Sequence, residues 1–210
     1  MTSSRLLILA VGLMLPSFAA AQPGYFRVTG VAADDTLNVR AGPSASSADI
    51  GDLPPDARGI EVAGTDASGN WGSIIWEEGN GWISMHFLAP DPVQKVSGTA
   101  LPAGLLCTGS EPCWSLRRAG WSSSDCDISG AAYALTLTGA LVAEGRPDFP
   151  VQVNHGGAAA ASVGIVRPAR CSDGMSDRVY PWTVAYLLNT AAGQRFLDGC
   201  CNLPLEAGSH

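Results

Sequence analysis

The stretch Leu37-Asn38-Val39-Arg40-Ala41-Gly42-Pro43-Ser44 combines a short alternating segment with a strong turn signal. Leu37 and Val39 alternate with Asn38 and Arg40, and successive side chains of a β-strand point to opposite faces. One pair is therefore expected to face a core, while the other faces outward or braces the next loop. Gly, Pro and Ser then favour a loop over a continued strand. The stretch predicts a short strand that ends in a long loop.

Short strands of the same kind are predicted on both sides of this stretch, up to residue 90. Gly, Pro, Asp and Asn separate them, and the sequence Glu-Gly-Asn-Gly at 78–81 is a strong hairpin signal. Five or six short strands in about 65 residues suit a small β-barrel. The predicted strands are 25–31, 36–40, 50–53, 58–64, 71–76 and 81–84.

Residues 22–90 resemble the bacterial SH3 domains. The resemblance rests on the 37–44 stretch, on Trp71-Gly72, on Gly81-Trp82-Ile83 and on Phe87-Leu88. It implies an SH3-like barrel that binds a ligand, often a peptidoglycan stem peptide or another peptide. It brings no catalytic residue onto this chain.

Five residues of this segment are candidate ligand contacts, because an exposed aromatic ring beside a polar group can stack on a sugar or a peptide plane. Each also has a structural alternative: the tryptophans can pack the barrel, and the arginine can brace the loop that follows it. The candidates are Asn38, Arg40, Trp71, Trp76 and Trp82.

The first 21 residues have the pattern of a secretory signal peptide. Arg5 precedes an apolar stretch at 6–16, and Ala19-Ala20-Ala21 forms a cleavage site. No other apolar run is long enough to span a bilayer. We therefore expect a periplasmic or secreted protein, cleaved after Ala21, with no membrane span in the mature chain.

The composition argues against a nucleic-acid partner. The chain of 210 residues has a formal net charge of −7, whereas binding to phosphates needs a basic face. Abundant Gly and short apolar runs favour an all-β fold. Residues 91–104 are a predicted linker, and 105–205 are predicted to form a second small antiparallel β-barrel. Its predicted strands are 131–138, 150–155, 160–166, 182–188 and 194–197.

All six cysteines lie in this second domain, which predicts disulfides in an exported chain. Cys200 and Cys201 are adjacent, so on a strand their side chains point to opposite faces and each needs a different partner. We expect them to pair with Cys107 and Cys171, which leaves Cys113 to pair with Cys126. A redox role has little support, because the sequence has no C-x-x-C motif.

The second domain also resembles an uncharacterised bacterial envelope domain. The motif C-x-G-x-E-P-F-W-x-L of that domain matches residues 107–116, which include Glu111 and Trp114. Its later C-x-D-x-M-S-D-x-x-Y-P segment matches 171–181. Cys113 departs from the pattern, where Phe is usual. The resemblance implies a small barrel similar in shape to META-type domains and lysozyme-inhibitor barrels, and Glu111 and Trp114 join the candidate ligand contacts.

The residues show no catalytic, metal or cofactor motif. His86, His155 and His210 have no metal-binding spacing, and His155 is expected at a hairpin end beside two glycines. Asp173 and Asp177 could supply oxygen ligands but suit a structural turn better. Glu111 is the most interesting acid, and its structural alternative is a buried hydrogen-bonding group.

These observations predict an exported, non-catalytic binding protein of the cell envelope, whose ligand is peptidoglycan, a peptide or an envelope protein. Two alternatives stay open. One is an inhibitor or stress factor that binds a lysozyme-like enzyme, since an acidic barrel suits a cationic target. The other is a targeting subunit of cell-wall hydrolysis, which would need paired acids or a Cys/His pair in a cleft.

Overall fold

The computed structural model describes residues 22–118, 124–128 and 131–205, and in this part of the chain the all-β prediction is confirmed. The only helical segment there is a 3-10 turn at Met85–Phe87. No helix within these ranges has the length and apolar character of a membrane span. The predicted signal peptide and His210 lie outside the described residues.

The described residues form sixteen strands. The strands are β1 Gly24–Val28, β2 Leu37–Arg40, β3 Asp49–Leu53, β4 Ile60–Val62, β5 Gly64–Thr65, β6 Trp71–Trp76, β7 Gly79–Ser84, β8 Leu88–Pro90, β9 Leu106–Ser110, β10 Cys113–Arg118, β11 Ser124–Ile128, β12 Ala131–Val142, β13 Val151–Gly156, β14 Ala160–Cys171, β15 Tyr180–Thr190 and β16 Gly193–Asn202.

The N-terminal strands form two curled sheets around one apolar core. One sheet has the order β3-β2-β7-β6-β5 and the other the order β4-β1-β8. Leu37 and Val39 of β2 are buried in the core between them, while Asn38 and Arg40 lie on the other face. Of the two pairs that alternate in the 37–44 stretch, the apolar pair Leu37 and Val39 is therefore the one that points inward. We call this unit the small barrel.

The C-terminal strands form a closed antiparallel barrel with the order β10-β11-β12-β13-β14-β15-β16-β9. Inward-facing side chains fill it, since eight strands enclose a space that side chains can occupy. Trp114 and Tyr186 stack inside, with ring centroids 5.7 Å apart, and Leu135 and Leu188 are fully buried beside them. We call this unit the large barrel. Its strands β9 to β11 were not among those predicted.

Two disulfides staple the large barrel, as predicted for Cys200 and Cys201. Cys107 of β9 is bonded to Cys201, and Cys171 of β14 is bonded to Cys200. Cys200 and Cys201 lie next to each other on β16 and reach different partners, as side chains on opposite faces of a strand must. Four of the six cysteines are thereby paired.

The predicted bond between Cys113 and Cys126 is wrong. Cys113 is an exposed free thiol at the start of β10. Cys126 lies opposite Leu116, three positions farther along the pair of strands. At ~3.3 Å per residue and ~4.8 Å between strands, the two Cα atoms are more than ~10 Å apart. A disulfide needs a Cα separation below about 7 Å.

The predicted linker at 91–104 packs against the large barrel. Lys95 forms a β-bridge with Pro102, and the intervening turn brings Val96 and Leu101 together. Both side chains are buried in the core of the large barrel. The segment therefore covers part of the barrel and is not a solvated tether, because two apolar residues among polar ones were enough to anchor it.

A buried carboxyl group joins the two barrels. Glu61 of β4 has only 7 % of its surface exposed. Its Oε1 accepts hydrogen bonds from Tyr25 Oη and Trp182 Nε1, each at 2.9 Å. Its Oε2 accepts one from the Leu203 backbone N–H at 2.8 Å. Burial outweighs these three hydrogen bonds and raises the pKa of Glu61 to about 7.

The tip of the β6–β7 hairpin makes a second contact between the barrels. Arg178 donates from Nε to the Glu77 carbonyl at 2.6 Å and from Nη2 to the Glu78 carboxylate at 3.1 Å. The Val179 N–H donates to Asn80 Oδ1 at 2.7 Å. The turn lies at Glu77-Glu78 because Trp76 pairs with Gly79, whereas the sequence predicted it at 78–81.

This hairpin turn uses an unusual backbone conformation. Glu77 has a φ of 48°, in the left-handed region that non-glycine residues seldom adopt. The Glu77 carbonyl accepts a hydrogen bond from Arg178, a residue distant in the sequence, and this contact accounts for the conformation. The glycine at position 79 could not indicate it, because that glycine lies two residues beyond Glu77.

The two disulfides are expected to differ in their contribution to stability. The bond from Cys107 to Cys201 spans 94 residues, whereas that from Cys171 to Cys200 spans 29. On loop-closure entropy, removing the longer crosslink costs about 4.5 kcal/mol and removing the shorter one about 3.5 kcal/mol. Urea denaturation of the two Cys→Ala double variants measures both. An equal or reversed loss would contradict the entropic account.

Replacing Glu61 is expected to weaken the whole molecule. Glu61→Ala leaves three donors without their acceptor, one of them the buried Trp182 indole and the other two partly buried, which costs about 2–4 kcal/mol in the free energy of unfolding. Burial makes the folded state favour the protonated carboxyl. The contribution of Glu61 to stability therefore falls as the pH rises from its ordinary pKa of 4.5 to about 7.

Urea denaturation at pH 4.5 and pH 7.5 tests this dependence, with Glu61→Gln as the variant that cannot ionise. Between pH 4.5 and pH 7.5 the free energy of unfolding should fall less, or rise more, in Glu61→Gln than in the unaltered protein. The reason is that the variant lacks the destabilising ionisation of Glu61. Identical slopes would mean that Glu61 does not titrate in this range.

Candidate functional site

The outward surface of the five-stranded sheet gathers four of the predicted contact residues. Along β6 the even-numbered side chains point into the core and the odd-numbered ones point out, so Trp71 and Ser73 face outward. Trp82 of β7 does the same, as do Asn38 and Arg40 of β2. We call the surface formed by Asn38, Arg40, Trp71, Ser73 and Trp82 the outer sheet face.

Trp82 lies in the middle of this face. It pairs with Arg40 across β2 and β7 and with Ser73 across β6 and β7. Directly opposite residues have Cβ atoms about 5 Å apart, and diagonal ones are about 7–8 Å apart. Trp71 is diagonal to Trp82 because it lies two residues before Ser73. Two half-exposed indoles thus flank a small serine.

Charged groups border the two indoles on one side. Arg40 lies 3.6 Å from the Asp49 carboxylate, with 23 % and 40 % of their side-chain surfaces exposed. It also donates to the Ser47 carbonyl at 3.3 Å, which holds the 41–48 loop against the strand. Asn38 donates to Asp49 as well, and this hydrogen bond is the main reason why the pKa of Asp49 is lowered. The border therefore carries one fixed cation and one fixed anion.

This arrangement can bind a flat or extended ligand. Indole rings stack on peptide planes and on the apolar faces of sugars. The small side chain of Ser73 leaves space between the indoles of Trp71 and Trp82. Arg40 can pair with a carboxylate group of the ligand, and Asp49 can pair with an ammonium group. Both kinds of group occur on short peptides.

Trp76 is not part of this face, which corrects its place among the predicted contacts. Its side chain has 9 % exposure, and its Nε1 donates to the Ile50 carbonyl at 3.2 Å inside the small barrel. The physical reason is parity, because Trp76 is an odd number of residues from Trp71 and so lies on the opposite side of β6.

Trp114 is likewise removed from the predicted contacts. It has 2 % exposure and donates from Nε1 to the Asp198 carbonyl at 3.2 Å within the large barrel. Glu111, in contrast, is exposed in the two-residue turn between β9 and β10, since Ser110 pairs with Cys113. It does not have the buried hydrogen-bonding role considered for it.

The Asp173 loop has the internal hydrogen bonds of a structural turn. The Asp173 carboxylate accepts from the backbone N–H groups of Met175 and Ser176 at 3.0 and 2.9 Å. It also accepts from the hydroxyl groups of Ser176 and Tyr180. These donors occupy the oxygen atoms that a cation would need.

A buried polar cluster inside the large barrel was missed by the sequence analysis. The Ser162 hydroxyl contacts the Tyr186 hydroxyl and lies 3.4 Å from His155 Nδ1. Tyr186 Oη is 3.5 Å from the same nitrogen. His155 was expected at a hairpin end, yet it follows Val151 and Val153 in strict alternation on β13. That alternation was the available signal that its ring points inward.

A small cavity of about 50 Å³ lies beside this cluster. His155 forms part of its wall, together with apolar side chains such as Leu116 and Val153. The predicted linker covers it through Val96 and Leu101. The space is large enough for a few water molecules and too small for a sugar or a peptide.

Metal-binding groups are not clustered in the described ranges, where no three His, Cys, Asp or Glu side chains are close enough to hold an ion. His86 packs edge-on against Phe87, with ring centroids 5.0 Å apart. The absence of catalytic and metal-binding residues stays a prediction.

In comparisons with known proteins, the chain matches no family model, no curated protein and no solved structure.

The buried cluster is expected to be structural. Ser162→Ala and Tyr186→Phe should each lower the free energy of unfolding by about 1–2 kcal/mol, because each leaves a buried polar group short of a partner. The double variant should lose less than the sum, since the two hydroxyl groups bond each other. Urea denaturation of all four proteins gives this coupling. Full additivity would show that the two hydroxyl groups act independently.

Proposed function

We propose that the protein is an exported, non-catalytic binding protein of the cell envelope. Its small barrel resembles a bacterial SH3 domain and binds peptidoglycan, through the stem peptides, on the outer sheet face. The observation that carries this proposal is the pair of half-exposed indoles of Trp71 and Trp82 beside the Arg40–Asp49 ion pair.

The chemistry of the face favours a peptide over a purely apolar ligand. A stem peptide is extended and carries both carboxylate and ammonium groups, which suit Arg40 and Asp49. Its backbone planes suit the two indoles. The fixed ion pair also limits the cost of ordering charged side chains, because Arg40 is already held by the Ser47 carbonyl.

The proposed location outside the cytoplasm is supported by the disulfides. Four cysteines are bonded within one barrel, and such bonds form and persist in oxidising compartments. This agrees with the signal peptide predicted at residues 1–21.

Retention on purified sacculi tests the proposal. Combining Trp71→Ala with Trp82→Ala should weaken binding at least about tenfold. Aromatic side chains that become buried under the ligand contribute most of the energy of such interfaces. Neither side chain belongs to the buried core of the small barrel, so the variant should keep its fold, which circular dichroism checks.

Leu141→Ala is the matched control, since Leu141 is an exposed apolar residue on the large barrel, with 63 % exposure. It should bind as the unaltered protein does. Retention of the unaltered protein no better than that of an acidic protein of equal charge would refute peptidoglycan binding. An equal loss in Leu141→Ala would refute the assignment to this face.

A further inference from the structure

The outside of the large barrel carries an apolar patch across three neighbouring strands. Phe196 of β16 has 75 % exposure, and Val163 and Ile165 of β14 have 38 % each. Ala185 and Leu187 of β15 are partly exposed between them. We call these five residues the β14–β16 patch.

The strand register makes this patch continuous. Val163 pairs with Leu187, which in turn pairs with Phe196. In the next row, Ile165 pairs with Ala185. Paired side chains on one face of a sheet touch or nearly touch. The patch therefore has the uncharged centre with an aromatic anchor that is typical of protein interfaces.

Two opposite charges lie at one end of the patch. Arg167 continues β14 beyond Ile165, and Asp198 of β16 lies in the Ile165 row, opposite Ala185. Both are exposed. Neither takes part in a salt bridge within the described part of the chain. The cation is thus on one outer strand of the patch and the anion is on the other.

We propose that this patch is the interface of a homodimer. A twofold axis that runs along β15 places β14 of each copy over β16 of the other. Phe196 of one copy then lies over Val163 of the second copy. This arrangement is self-complementary, as a twofold interface must be.

The same axis also brings the two charges together. Arg167 of one copy falls one residue row, about 7 Å along the strand, from Asp198 of the second copy. A long arginine side chain spans that offset. Two equivalent ion pairs would form, one at each outer strand of the patch.

The charges also favour a second copy over other occupants. The chain has a net charge of −7, so an anionic lipid surface is repelled. A basic partner would be recognised by an acidic surface, whereas the patch has one charge of each sign. The patch is only about 10 Å wide on a convex barrel. It therefore buries less than the ~800 Å² per partner of a standard interface, which predicts a weak, reversible dimer.

Sedimentation equilibrium of the full protein, from about 1 to several hundred micromolar, tests the dimer in the range expected of weak interfaces. A concentration-dependent dimer is expected. Phe196→Glu should weaken association at least tenfold. Leu141→Glu is the matched control, because it introduces the same charge at an exposed apolar position outside the patch, and it should leave the dimer unchanged.

A charge exchange tests the orientation of the two copies. Arg167→Asp and Asp198→Arg should each weaken the dimer, and the double variant should restore it. A monomer at every concentration would overturn the proposal, as would equal effects of Phe196→Glu and Leu141→Glu. Failure of the double variant to restore association would overturn the twofold axis along β15. Flotation of a monomeric protein with lipid vesicles, lost in Phe196→Glu, would reassign the patch to a membrane.

Discussion

The structure depends on one carboxyl group that is shared between two barrels. Glu61 belongs to the small barrel, yet two of its three donors, the Trp182 indole and the Leu203 backbone, come from the C-terminal half. Removing a carboxylate from water is costly, and the raised pKa of Glu61 reflects this cost. The three donors offset part of this cost while they are in place, and burial still outweighs them. Glu61 therefore couples the position of the barrels to the protonation of one buried group.

The proposed binding functions lie on outer surfaces because the interior of the large barrel is filled. The interior of the large barrel is filled by the stacked rings of Trp114 and Tyr186 and leaves a cavity of only about 50 Å³. The disulfides at Cys107 and Cys171 hold that barrel closed. The outside offers more room, and the two surfaces proposed for binding lie there: the outer sheet face on one unit and the β14–β16 patch on the other. A dimer through the patch would present two outer sheet faces, which strengthens binding to a repetitive polymer.

Much of the local structure could be predicted because strand alternation and turn chemistry are local. The Leu37 and Val39 pattern identified the inner face of β2. The adjacency of Cys200 and Cys201 identified two separate disulfide partners, because neighbouring side chains on a strand diverge. Parity along β6 could also have separated Trp76 from Trp71, but Ile74 and Ile75 are equally apolar and leave the inner face ambiguous.

The sequence alone therefore determined the all-β class, the cysteines that β16 uses and most of the strands, because these depend on neighbours in the chain. Only the tertiary structure decided that Cys113 stays unpaired, that the 91–104 segment packs on the large barrel, and that the hairpin turns at Glu77. It also decided that Glu61 and His155 are buried. Each of these outcomes depends on which distant backbone or side chain lies opposite. Such pairings are set by sheet register and barrel closure, which no short stretch of residues encodes.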